Sequence, residues 1–132
     1  MKRFFQSRNG METIEAAITT PIAVLIMLAT INLGMVIFGQ QVVQAAARHG
    51  ARMGSVAQNC AACYAMNGAR EAIHSARLVQ NPNVQILAPG GVAGSILKVR
   101  VSGTIPNYLG GFIGWSDPFE VSSDVTFRQE GW

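Results

Sequence analysis

From Ala16 to Gly39 the chain holds no charged residue and consists mainly of Ile, Ala, Leu, Met and Val. This run is roughly 24 residues long, and about 20 suffice to cross a bilayer as a helix, so the pattern predicts a membrane span over residues 16–39. Past Gly39 the apolar positions become one-sided. Val42, Val43, Ala46, His49, Gly50, Met53 and Ala57 fall on one helical face, and Gln41, Gln44, Arg48, Arg52 and Ser55 on the other. The helix is therefore expected to leave the membrane without stopping, covering residues 11–59. Within it, Pro21 removes an amide donor and crowds the carbonyl of Ala17, which loosens the helix unless Thr19 or Thr20 compensates. Ala46, Gly50 and Gly54 recur every fourth position and allow another backbone to approach closely, either the protein's own head or a neighbouring subunit.

A second, shorter helix is expected from Tyr64 to Gln80, with Met66, Ala69, Ile73 and Ala76 on its apolar face, ending before Asn81-Pro82-Asn83. Two-residue alternation follows. Val84 and Ile86 make a short strand, Ile96 to Val101 a half-buried one, and Pro118 to Arg128 the longest. Between the last two lies Gly103 to Asp117, whose glycines and Pro106 predict an irregular loop. Tyr108, Phe112 and Trp115 on this loop are candidate contact residues, or they cap the small core. The fold class is α+β: a long membrane-spanning N-terminal helix, a second short helix and a small antiparallel sheet of three to four strands. One head, residues 60–132, is all that the remaining length allows.

The chain of 132 residues has a formal net charge of +3, and its position matters more than its size. Lys2, Arg3 and Arg8 precede Gly10, and from Met11 onward basic and acidic side chains balance. All of the excess lies in residues 1–10, which excludes the basic stripe that nucleic-acid binding requires. Positive charge on the amino side of the span places the N-terminus in the cytoplasm and the head outside. A cleaved secretory signal is the competing reading, but its apolar region would be shorter.

Cys60 and Cys63 form a CxxC in this outer part. A disulfide closing the bend after the long helix is favoured there over free thiols, and over metal or redox chemistry, because zinc needs further ligands and neither His49 nor His74 has motif spacing to the pair. No nucleophile, P-loop, zinc-protease or paired-carboxylate motif occurs, so the expectation is a non-enzyme with no cofactor, no metal and no small-molecule substrate. His49, on the apolar face, is expected to be packed rather than basic.

Taken together, the basic leader ending in Gly10, Glu15 at the fifth position after it, Pro21 further in, and a long helix topped by a small sheet resemble the type IV pilin and pseudopilin group. The segment from Gly39 to Arg52, GQQVVQAAARHGAR, is similar to one branch, the TadE-like minor pseudopilins of tight-adherence pilus systems. Ala16 and Ala17 depart from the pattern, because an aromatic often follows the glutamate. The resemblance implies a prepilin cut between Gly10 and Met11 by a prepilin peptidase. It also implies that Glu15 sets subunit register by facing the freed amine of Met11, and that other pilin-like subunits and assembly-platform proteins are the partners in the inner membrane. The plain alternatives are a turn glycine at Gly10 and an interfacial carboxylate at Glu15. The competing function is an uncleaved, signal-anchored periplasmic binding or adaptor protein that uses the loop around Trp115.

Overall fold

In a computed structural model the chain is described over residues 8–130, as three helices and three strands. Residues 1–7 of the leader lie outside the described residues. The order is α1 (Arg8–Ser55), α2 (Ala61–His74), β1 (Gln80–Pro89), β2 (Ile96–Ile105), α3 (Gly110–Ile113) and β3 (Phe119–Arg128). The strands form one antiparallel sheet in the order β1-β2-β3.

Alternation explains the centre of this sheet. Leu97, Val99, Val101 and Ile105 point inward from β2 and are fully buried, while Arg100 points outward. The covered face meets α1 through Val43, Ala46, Ala47 and Ala51, and α2 through Ala65, Ala69 and Ile73. α1 lies over β2 and β3, and α2 over β1. The result is a two-layer α+β head that shares α1 with whatever surrounds the helix below.

Several boundaries differ from those the sequence predicts, each for a local reason. α1 ends at Ser55, four residues early. There Glu130 donates its amide to the carbonyl of Ser55 at 3.1 Å, and the Gln129 amide donates to Ala57 at 3.0 Å, so the end of β3 satisfies carbonyls the helix leaves free. α2 stops at His74 rather than Gln80, because the Ser75 hydroxyl donates to Ala72 O at 2.7 Å and competes with the helical pattern. β1 begins at Gln80, ahead of the expected short strand, and takes in Asn81 at φ 48 and Pro82 through a register shift. It is an edge strand, where proline is tolerated. β2 runs on to Ile105 through Gly103, where a side chain would collide with Val79. The expected loop also holds regular structure, the one-turn α3, which is closed by Gly114 at φ 81.

Pro21 sits inside a helix that runs continuously past it. The Thr19 hydroxyl donates to Glu15 O at 2.9 Å, not to the carbonyl of Ala17 that the proline frees.

Candidate functional site

The head covers only part of α1, and the covered part reaches further down than the apolar run suggests. Asn32 is 5% exposed although it lies within the predicted span. Its Nδ2 donates to Asn107 Oδ1 at 2.9 Å, and its Oδ1 accepts the Tyr108 amide at 3.2 Å. Two turns above, Gly39 packs directly against the Ile105 side chain, which would have to shift to admit a Cβ. Gln40 donates to the carbonyl of Ser122 at 2.8 Å. Asn32, Gly39 and Gln40 therefore belong to the head's docking surface, while Leu33, Ile37 and Phe38 stay exposed on the other side of the helix.

Below Asn32 every described side chain from Thr13 to Ile31 is exposed except Leu28, which is half-buried. Those residues, about 19 at 1.5 Å each, make ~28 Å of helix, close to the ~30 Å hydrocarbon thickness of a bilayer. The helix is long and apolar enough for a membrane span, and few of its apolar residues are buried inside the protein. Exposed Ile18, Ile22, Ile26 and Met27 on such a helix would be costly in water at ~25 cal/mol per Å² of apolar surface. Thr30 is satisfied within the helix by Ile26 O at 2.9 Å, as a hydroxyl at membrane depth requires. This helix fits a membrane anchor.

Of the residues singled out for assembly, Gly10 and Met11 lie in the first turns of α1. Glu15 is exposed on its next turn, and Pro21 is exposed on the bare segment. All four fall below Asn32, where the head begins, so they form a group separate from the remaining candidates.

Ala46, Gly50 and Gly54 have a different position. A Cβ on Gly50 would lie 2.5 Å from Ala65 O and 2.6 Å from the Ala69 methyl, and one on Gly54 2.7 Å from Ala61 O. Ala46 is 1% exposed in the core. These small residues hold α1 against α2 and the sheet of their own chain, which leaves no open groove there for another subunit. The face itself also departs from expectation: Ser55 is buried and His49 exposed, because α2 crosses at Ala47, Gly50, Ala51 and Gly54 and turns the buried stripe away from His49.

Cys60 and Cys63 are joined as a disulfide with Cα atoms 5.3 Å apart. Cys60 adopts φ 38 and ψ 64, a left-handed conformation that reverses the chain between α1 and α2, and its carbonyl accepts the Cys63 amide at 2.9 Å. Among the described residues no group of three or more His, Cys, Asp and Glu side chains is placed to hold a metal.

The third group is the loop after β2. Tyr108, Phe112 and Trp115 are 60%, 73% and 71% exposed, so they do not cap the core. The loop is nevertheless built around one side chain. Asn107 accepts the Gly110 amide at 2.8 Å and donates to Trp115 O at 3.1 Å, while also holding Asn32. Periodicity marks neither Asn32 nor Asn107 as a partner of the other. The signal is present in the pairing of an isolated asparagine in an apolar run with another in a glycine-rich loop.

On the outer face of the sheet Asp124 is paired with Arg100, at 2.5 and 2.7 Å, and with Lys98 at 3.2 Å. The Arg100 hydrogen bonds, with a smaller contribution from Lys98, hold the Asp124 carboxyl down to about 2. This pairing lies on an exposed face of the sheet.

Comparison with known proteins separates the helix from the head. No curated protein and no solved structure gives a significant match. Residues 10–52, by contrast, match the family model described as TadE-like protein, a segment that starts at Gly10 and ends three residues short of the α1 C-terminus. That helix, with its bare anchor below and its docked face above, is the part of the chain that is similar to TadE-like proteins.

Proposed function

We propose that the protein is a membrane-anchored prepilin that acts as a minor pilin or pseudopilin in assembly of a Tad-type pilus, with a structural rather than catalytic role. The observation that carries this reading is the bare segment of α1 between Thr13 and Ile31, which joins a TadE-like match to a stretch of helix that the head leaves open. Such a surface is free to pack against lipid or against the same segment of other pilin-like chains. The N-terminus lies in the cytoplasm and the head in the periplasm or outside the cell, as Lys2, Arg3 and Arg8 before the span favour.

A prepilin peptidase cuts after Gly10. Removing residues 1–10 discards all of the excess positive charge and frees an amine on Met11, one helical turn from Glu15. An amine and a carboxylate brought to membrane depth stabilise each other, within one chain or between neighbours, and this sets subunit register. The partners are the peptidase, other pilin-like subunits and the assembly platform of the inner membrane.

Intact-mass measurement on protein from membranes of a strain with an active peptidase tests processing. The expected species lacks ten residues, and finding only the full-length chain would overturn the prepilin reading. Glu15→Ala tests register separately: it should still be cut but should fail to enter sheared filaments.

A further inference from the structure

The loop between β2 and β3 is tied to α1 through Asn107 and the Tyr108 amide, but its aromatic side chains are exposed and the packing of α1 helices gives them no role. We infer that this loop, through Tyr108, Phe112 and Trp115, docks on the outer leaflet of the same bilayer that holds α1, so that the head is fixed to the membrane at two points. The inference rests on α1 being a membrane span.

Depth is the first argument. Asn32 is the first side chain of α1 that the head buries, and its two hydrogen bonds to Asn107 and Tyr108 tie the loop to that level of the helix. Below it the uncharged helix from Ala16 to Ile31 gives ~24 Å, most of a hydrocarbon thickness, so Asn32 and the loop bonded to it fall at the outer side of the bilayer. Aromatic residues, Trp and Tyr above all, concentrate at that boundary, where an apolar ring and a polar edge are both accommodated.

Chemistry is the second argument. Tyr108, Phe112 and Trp115 are each more than half exposed on one short loop, a local density of bare aromatic surface beyond the singly scattered apolar residues of an ordinary soluble surface. From Ile105 to Pro118 the one charged residue is Asp117, and it accepts the Trp115 indole N–H at 3.0 Å. The indole therefore carries its own hydrogen-bond partner and can leave water without stranding a donor. Beside it, Leu109, Trp115, Pro118 and Phe119 line an apolar cleft of about 410 Å³. Rigidity is the third argument. Asn107 braces the loop from within, so little conformational freedom remains to be lost on docking.

Fluorescence of the full-length chain reconstituted into phosphatidylcholine and phosphatidylglycerol vesicles tests this. Trp132→Phe leaves Trp115 as the single indole. Its emission is expected to shift to the blue, to resist iodide, and to be quenched by lipids brominated near the headgroup end of the acyl chain more than by lipids brominated deep in it. Emission that stays red and iodide-sensitive overturns the inference. Resistance to iodide without bromolipid quenching overturns it too, because another protein chain then covers the loop. Ile22→Trp in a Trp115→Phe, Trp132→Phe background reports on the span itself. Quenching there by deep bromines, together with an unquenched Trp115, refutes loop docking while leaving the anchor intact; no quenching at position 22 refutes the anchor, and the docking with it.

Discussion

Gly50→Ala is the sharpest test of how α1 and α2 are held together. Alanine is the best helix former, and replacing glycine by alanine in a helix interior ordinarily gains about 1 kcal/mol. At Gly50 the new methyl would meet Ala65 O at 2.5 Å, the Ala69 methyl at 2.6 Å and Ala69 N at 2.9 Å. Two of these are backbone atoms of α2 and cannot rotate away. The helices must separate by several tenths of an ångström, loosening contacts of Ala47 and Ala51 on either side, and overpacking of this kind costs about 1–3 kcal/mol. Overpacking outweighs the gain in helix propensity. The net loss is up to about 2 kcal/mol, a fall of about 4–8 °C per kcal/mol for a head of this size. Thermal unfolding of the detergent-solubilised chain, followed by near-ultraviolet circular dichroism, gives the midpoint. Two matched substitutions fix the interpretation. Gly34→Ala meets nothing within 4 Å, keeps the gain in helix propensity and should leave the midpoint at or slightly above the parent value, and Gly68→Ala meets chiefly the Met53 sulfur at 2.6 Å, the far end of a flexible side chain, and should cost little. If Gly50→Ala melts at or above the parent temperature, close helix contact is not what holds the head on α1.

Asp124→Asn tests the strand-face ion pairs: because the folded carboxyl is held at about 2 against an ordinary 3.8, the pairing stabilises the head above pH 4 and is lost as pH falls from 3.8 toward 2, so the variant should flatten acid unfolding in that window. Cys60→Ser/Cys63→Ser removes a very short loop closure and should lower stability by about 2 kcal/mol in denaturant titration, with the chain still folded. Gln129→Ala strands carbonyls of Gly54 and Ala57 that its amide satisfies from a buried position, and should cost about 1–3 kcal/mol in the same titration. Asn32→Leu should preserve the membrane helix while breaking the clasp to Asn107 and Tyr108, read as faster hydrogen exchange at residues 106–117 with the sheet unaffected.

Much of the architecture was legible in the sequence because it depends on periodicity. An uncharged run longer than a bilayer crossing predicts the anchor whatever lies around it, and alternation at Leu97, Val99 and Val101 fixes which face of β2 is buried. The position of Lys2, Arg3 and Arg8 relative to Gly10 is likewise a property of the chain alone. Tertiary structure decided which side of the helix the head covers. An apolar residue reads the same against lipid as against a protein core, so Asn32, Gly39 and Gln40 could be assigned to the head only once Asn107, Ile105 and Ser122 were seen against them. The same ambiguity applied to Gly50 and Gly54, whose absent side chains permit close approach without saying by which backbone; α2 of the same chain supplies it. The ends of α1 and α2 depended on hydrogen bonds from Gln129, Glu130 and Ser75 that no helical pattern encodes. Local spacing set the elements, and pairing between residues some 75 positions apart, Asn32 with Asn107 and Gly54 with Gln129, set how deep the head sits on its helix.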